Sequence, residues 1–411
     1  MADNVIKVIH TLLQRGIQMP NPESVTLDPS VNVDQIAAGV VIHPGCRITG
    51  SKTSIGSGCV LGKEAPVTLD NCQLGTHVIL AGGYFSETTC LNHSSMGSGA
   101  QIRPGTLLEE VSGGAHTVGL KQTILFPYAI LGSLINFCDA LIAGGTSRQN
   151  HSEVGSSYIH FNYTPHQDKA TPSLLGDVPH GVMLNQPPVF LGGQGGLAGP
   201  AQVAFGAIIP AGLIVRTDIL KDGLFTPAPP ARAKAPDYQV GAYQSINRII
   251  HNNLAYIGNI YALRAWYRHV RSYFISADIF QTSCFNGALE RIQAILNERL
   301  QRLHQLVEKM PQSLELAQSA SKTVNLDTQP FVQQKILLER WPTIADQLAQ
   351  LSAMEGDMEK RDILLKALSQ IPARTDYLNA VKSLSPEARG AGIVWLQSLV
   401  DASTALWNKV V

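Results

Sequence analysis

Charge is what this chain has least of. Only 15% of its 411 residues are Asp, Glu, Lys or Arg, against roughly 25% in an ordinary soluble protein. The signs balance at 31 basic and 31 acidic residues, so there is no basic excess of the kind that grips nucleic acid. No apolar run reaches the ~18 residues of a membrane-spanning helix without meeting a charge. The first residues, MADNVIKVIHTLLQRG, bring an acid early and offer no small-residue cleavage site; they read as a helix rather than a leader. Cysteines are few and scattered (Cys46, Cys59, Cys72, Cys90, Cys138, Cys284), with no C-x-x-C pair. That spacing argues against a structural zinc site and for small buried thiols in a reducing, cytoplasmic setting.

Glycine and proline, by contrast, are plentiful, at 36 and 23. Their placement follows a six-residue rhythm. Ile42, Ile48, Ile55 and Leu61 fall near six apart, then Leu74-Gly75, Leu80-Ala81, Met96-Gly97, Ile102-Arg103, Leu108-Glu109 and Leu131-Gly132. Val154-Gly155, Leu175-Gly176, Leu191-Gly192, Leu197-Ala198 and Val203-Ala204 continue it as aliphatic-then-small pairs. Such a period predicts short parallel strands wound as a triangular solenoid, about three hexapeptides to a turn. No coil can bury its own inner face, and stacking buries one aliphatic column. The rhythm slips at 64–71 and at 82–95, where loops or short turns are expected to protrude, slips again at the polar stretch 144–151, and breaks at the polar stretch 161–169.

The organisation follows from these patterns. Residues 1–20 form an amphipathic helix over Asn4 to Arg15, ended by Gly16, and 21–225 form the solenoid. A proline-rich linker, 226–237, cannot build a core. Beyond it glycine becomes rare and apolar residues recur at helical spacing (Ile246 to Trp266, Leu289 to Leu306, about 329–353, 358–371 and 386–410). Residues 238–411 are therefore expected to be an all-α domain of roughly five to seven helices, packed on each other or on the solenoid.

Several motifs, in order, carry a resemblance. They are Leu13-Gln14-Arg15-Gly16-Ile17-Gln18-Met19, Ile102-Arg103-Pro104-Gly105, Asn162-Tyr163 before a polar loop, Leu175-Gly176-Asp177 and Ile209-Pro210-Ala211-Gly212. Over about 10–220 the chain resembles the acetyltransferase half of the bifunctional bacterial enzyme that makes UDP-N-acetylglucosamine. The resemblance implies a left-handed parallel β-helix of hexapeptide repeats, here followed by the all-α domain. It also implies a homotrimer, acetyl-CoA as co-substrate, and an amino-sugar phosphate or nucleotide sugar as acceptor. The family's uridyltransferase half has no counterpart in this sequence, so acyl transfer alone is expected. The helical domain has no counterpart in that family.

The same resemblance assigns roles. Arg103, one residue past an inward Ile102, would point outward and bind the sugar phosphate, for which a guanidinium is a two-pronged match. Lys121 would be its second phosphate ligand. Asn162 and Tyr163 would contact acetyl-CoA, Ala211 would lie along the acyl arm, and Arg232 would clamp coenzyme A phosphates. Gly193 stands where the family has a serine. The family's basic histidine is missing: one alignment puts Ser133 there, another Asp139. A base of near-neutral pKa is still needed to take a proton from an amine, and it is to be sought among His151, His160, His166 and Asp139, the last of which could instead be a structural or orienting carboxylate. These histidines with His180 and Asp168 lack a compact ligand spacing, so no metal is expected. Two rivals remain open. One is a trimeric scaffold whose helices contact a partner. The other is transfer of a longer acyl chain to the hydroxyl of a nucleotide sugar.

Overall fold

A computed structural model describes residues 2–160, 164–166, 169–226, 239–243, 246–320 and 329–408. The expected parallel β-helix is present, followed by the expected helices. All strand pairs in the solenoid are parallel, and ten rungs stack in the first of its faces, from Val41–Ile42 to Gly223–Leu224. The second face runs from Thr26–Leu27 to Ile214–Val215, and the third from Ser54–Ile55 to Ala201–Val203. Val118–Leu125 and Ile135–Ile142 run round the corner between the second and third faces as unbroken strands.

The inner column is the one the rhythm predicts. Ile42, Leu61, Leu80, Leu131, Val154, Leu191 and Ile209 are fully buried in one core. The loops or short turns expected at two of the slips are largely strand. The slips at 64–71 and 82–95 hold strands Val67–Asp70, Gly83–Ser86 and Thr88–Cys90. The spacing of inward residues shortens there from six to five, as from Leu69 to Leu74. The corner residue then takes a left-handed conformation: Asn71 (φ 51°), Glu87 (φ 43°), Gln122 (φ 51°) and Asp139 (φ 53°). One residue fewer makes a tighter corner, which only that backbone region closes. The third slip does leave the coil, closed by an antiparallel bridge between Gly145 and His151.

Before the solenoid, α1 spans Ala2–Gln14, with Gly16 at φ 85° closing its end. A single turn, α2, Val178–Gly181, sits in a late loop. Residues 227–238, the greater part of the expected proline-rich linker, lie outside the described residues; beyond them come α3 (Ile246–His269), α4 (Ile279–Glu308), α5 (Met310–Ala320), α6 (Gln329–Leu351), α7 (Met358–Ser369), α8 (Tyr377–Ser383) and α9 (Pro386–Asn408). None of these described helices is long and apolar enough to cross a membrane.

The helices lie on the third face of the solenoid. Its outward column reads Ser54, Gln73, Thr89, Leu107, Ile124, Leu141, Leu174 and Gln202. Leu107, Ile124, Leu141 and Leu174 are buried in the same core as α3, α4 and α9. Polar bolts surround this core. Asn253 Nδ2 donates to Ala170 O at 2.8 Å, and Asn259 Oδ1 accepts from Val178 N at 2.7 Å. Arg271 is clamped by Glu110 at 2.5 and 2.9 Å and by Glu109 at 3.0 Å. Helix α4 approaches so closely that a Cβ on Gly287 would fall 2.3 Å from Gln73 Oε1.

Candidate functional site

The rungs of the second face bring the sequence candidates into line. Ile102 pairs with Leu120, Leu120 with Phe137, and Phe137 with Ile159. The next residue on each rung is Arg103, Lys121, Cys138 and His160, which therefore stack along one edge of the solenoid. With about 4.8 Å per rung, the column from Arg103 to His160 spans roughly 14 Å.

Arg103 is exposed and Lys121 half-buried, one rung apart. Arg103 Nη2 lies 3.4 Å from Cys138 Sγ, and the thiol in turn lies 3.4 Å from Asn136 Oδ1. Burial pushes the Cys138 thiol up, against the pull of Arg103, so it stays protonated and supplies no counter-charge. Among the described residues neither cation has a carboxylate partner. An unpaired guanidinium beside an ammonium is a ready anion site, because an oxyanion between them relieves their repulsion.

At the top of the column two of the four candidate catalytic residues meet. Asp139 Oδ2 lies 3.1 Å from His160 Nδ1. Its other oxygen, Oδ1, accepts from Arg299 Nη2 of α4 at 2.8 Å. Thr171 Oγ1 also contacts His160 Nδ1. Burial holds His160 below the ordinary histidine value; Arg299 adds to this and Asp139 opposes it. A neutral ring with Nδ1–H on a carboxylate leaves Nε2 as the basic nitrogen.

The other histidines go elsewhere. His151 Nδ1 sits 2.7 Å from Arg148 O within its own loop. His166 Nδ1 accepts from Gly241 N at 2.9 Å, and its ring stacks on Tyr243. Neither meets Asp139. Ser133 lies in the turn that follows Ile130–Leu131, at the far end of its strand from Asp139. Gly193 and Ala211 share another corner, between the first and second faces. There Gly212 N donates to Gly193 O at 2.8 Å, and a Cβ on Gly192 would fall 2.3 Å from Ala211 N. Within one chain this corner and the Arg103 column are at opposite ends of the second-face strands. Asn162, Tyr163, Asp168 and Arg232 lie outside the described residues. Among the described residues no three His, Cys, Asp or Glu side chains group to hold a metal.

Sequence reasoning missed Arg299. The signal was present: Ala288, Arg291, Ile292, Ile295, Leu296, Arg299 and Leu303 form the buried stripe of α4, so two arginines interrupt an apolar face. It also missed a cavity of about 620 Å³ between the solenoid and the helices. That cavity is lined by Glu110, Tyr267, Arg271, Phe285 and Tyr377 among others, and touches none of the candidates above.

The chain is similar to several curated proteins. Bifunctional protein GlmU of Trichlorobacter lovleyi is 29% identical over 214 residues, 52% of this chain and 41% of its own length. The protein of the same name from Pelobacter propionicus is 27% identical over 214 residues, again 52% and 41%. That of Thermotoga petrophila is 24% identical over 214 residues, 52% of this chain and 43% of its own length. The chain thus spans about two fifths of the length of the curated relatives it matches. No family model matches it.

Proposed function

We propose that the solenoid carries an acyl-CoA-dependent transferase site of amino-sugar metabolism, with acetyl-CoA as donor and an amino-sugar phosphate or nucleotide sugar as acceptor. The observation that carries this reading is the column itself: two cations with no acid partner among the described residues, Arg103 and Lys121, below a histidine–carboxylate pair, His160 and Asp139. The similarity to the GlmU proteins points the same way. Arg103 and Lys121 hold the acceptor's phosphate. His160 Nε2 takes a proton from the amine as its nitrogen bonds to the thioester carbonyl carbon. The C–S bond then breaks, and the proton passes to the coenzyme A thiolate, giving an amide and a free thiol.

Positioning supplies much of the rate in such a site. Asn162, Tyr163, Gly193, Ala211 and Arg232 are proposed to line the acetyl-CoA path. Because Gly193 and Ala211 share a corner away from the Arg103 column, a second chain is needed to complete the site. That favours a homotrimer in which one chain's corner faces another chain's column.

The test is thiol release from acetyl-CoA with glucosamine 1-phosphate and with unphosphorylated glucosamine, in wild type and Arg103→Ala. Turnover that depends on both the phosphate and Arg103 is the expected result. A wild-type protein that neither turns over nor binds coenzyme A would sink the enzymatic reading and favour the scaffold.

A further inference from the structure

We propose that the helical region is part of the site, through Arg299, a positioning residue that fixes the Asp139 carboxylate and, with it, the His160 ring. The catalytic consequence rests on the acyl-transfer reading; the positioning does not.

Arg299 is placed as a rigid support. It is 1% exposed and sits mid-helix in α4, which is held against the solenoid by the close approach at Gly287. Its guanidinium forks between two supports of His160. Nη2 donates to Asp139 Oδ1 at 2.8 Å, and Nη1 donates to Lys169 O at 3.1 Å. The first contact fixes the carboxylate whose other oxygen meets His160 Nδ1. The second ties down the backbone just before Thr171, which meets the same nitrogen. One side chain from the helical region therefore bears on both partners of the same ring nitrogen. A planar guanidinium is suited to two acceptors at once, whereas an ammonium is a point charge on a flexible stem.

The charges facing His160 come from every element packed there. Asp139 is on the neighbouring rung, Arg299 on α4, and Lys169 on the segment leading to Thr171. Tyr256 of α3 faces the Asp139–Arg299 pair, and burial drives its ionisation far above the working range. Cys138 stays a neutral thiol. Removing the Arg299 charge leaves Asp139 unshielded, and His160 must then hold its proton more tightly.

The experiment compares wild type with Arg299→Lys, Arg299→Gln and Arg299→Met. The methionine variant is included because an apolar side chain needs no buried partner if glutamine prevents folding. Near-ultraviolet circular dichroism selects the folded variants. The His160 titration is then followed by carbon-13 histidine NMR, assigned with His160→Gln. Arg299→Gln or Arg299→Met should raise the His160 titration midpoint, and Arg299→Lys should hold it near wild type. In turnover with acetyl-CoA and glucosamine 1-phosphate, the uncharged variants should lose roughly 10- to 100-fold in kcat, with KM changed less than about threefold. Their acid limb should move to higher pH, and Arg299→Lys should recover part of kcat. A folded, uncharged variant with the wild-type His160 midpoint overturns the proposal, whatever its activity. A moved midpoint in a protein that transfers no acetyl group leaves Arg299 as the support of His160 and removes the enzymatic reading instead.

Discussion

Leu141 decides whether the helices belong to the solenoid. It points outward from the third face, between Ile124 and Leu174, and is fully buried only because α3 and its neighbours cover it. Its sequence neighbour Ile142 points inward and is equally buried. Truncating a fully buried leucine to alanine costs about 2–5 kcal/mol, transfer and cavity together. A solenoid surface position with no helices on it would give within ±0.5 kcal/mol. The readout is conveniently one-sided, because Trp266, Trp341, Trp395 and Trp407 are the only 4 tryptophans and all lie in the helical region. Urea unfolding of Leu141→Ala, followed by tryptophan fluorescence, should therefore show the helices destabilised by a change made in the solenoid. With a slope of about 3 kcal/mol per molar, a loss near 3 kcal/mol moves the midpoint down by roughly 1 M. A tryptophan transition within about 0.2 M of wild type, with Ile142→Ala strongly destabilised in the solenoid, would refute the shared core.

Asn259→Leu should also cost about 1–3 kcal/mol, because Val178 N–H would lose its acceptor at 2.7 Å in a buried place; thermal unfolding checks this, and an unchanged midpoint would mean that α3 is not bolted to α2. His180 should titrate above the ordinary histidine value, chiefly because its Nδ1 bonds Asp177 Oδ1 at 2.8 Å, with burial opposing. A raised folded value means that its stabilising share is whole below the unfolded value of 6.5 and is lost as pH climbs through the folded one. NMR titration of wild type and Asp177→Asn tests this: the variant's midpoint should drop, and a midpoint that stays put would show that the carboxylate is not the cause.

Periodicity made most of the solenoid legible, because each rung needs one aliphatic residue inward and the chain has no alternative to it. It failed where the spacing shortens to five. Asn71 and Glu87 break a six-residue count although they close a normal coil, since a left-handed corner does with one residue what a glycine corner does with two. The third face carried a second signal. Thr106-Leu107-Leu108, Thr123-Ile124-Leu125 and Ser173-Leu174-Leu175 each put two apolar residues side by side. Strands apolar on both sides are strands covered on both sides, so these doublets already said where the helices would land.

The candidate site was half legible, and the missing half follows from one physical demand. A guanidinium on an apolar helix stripe cannot stay buried alone, because an unpaired buried charge costs several kcal/mol. Arg291 and Arg299 therefore each call for an acid. Arg291 finds Glu290 of its own helix at 2.9 Å and, farther off, Glu87 at 3.7 Å; Arg299 finds Asp139 at 2.8 Å. Glu87 and Asp139 are left-handed corner residues of the same solenoid edge. The two arginines are two helical turns apart, roughly 12 Å along α4, and the two acids are three rungs apart, roughly 14 Å along the solenoid. Those rises match closely enough that α4 must run nearly parallel to the solenoid axis, with its arginines in step with the corners. An arginine stripe on a helix and unexplained acids on a repeat are thus two halves of one register. Asp139, which sequence alone left as an orienting carboxylate without a partner, gains its fixed direction from that register.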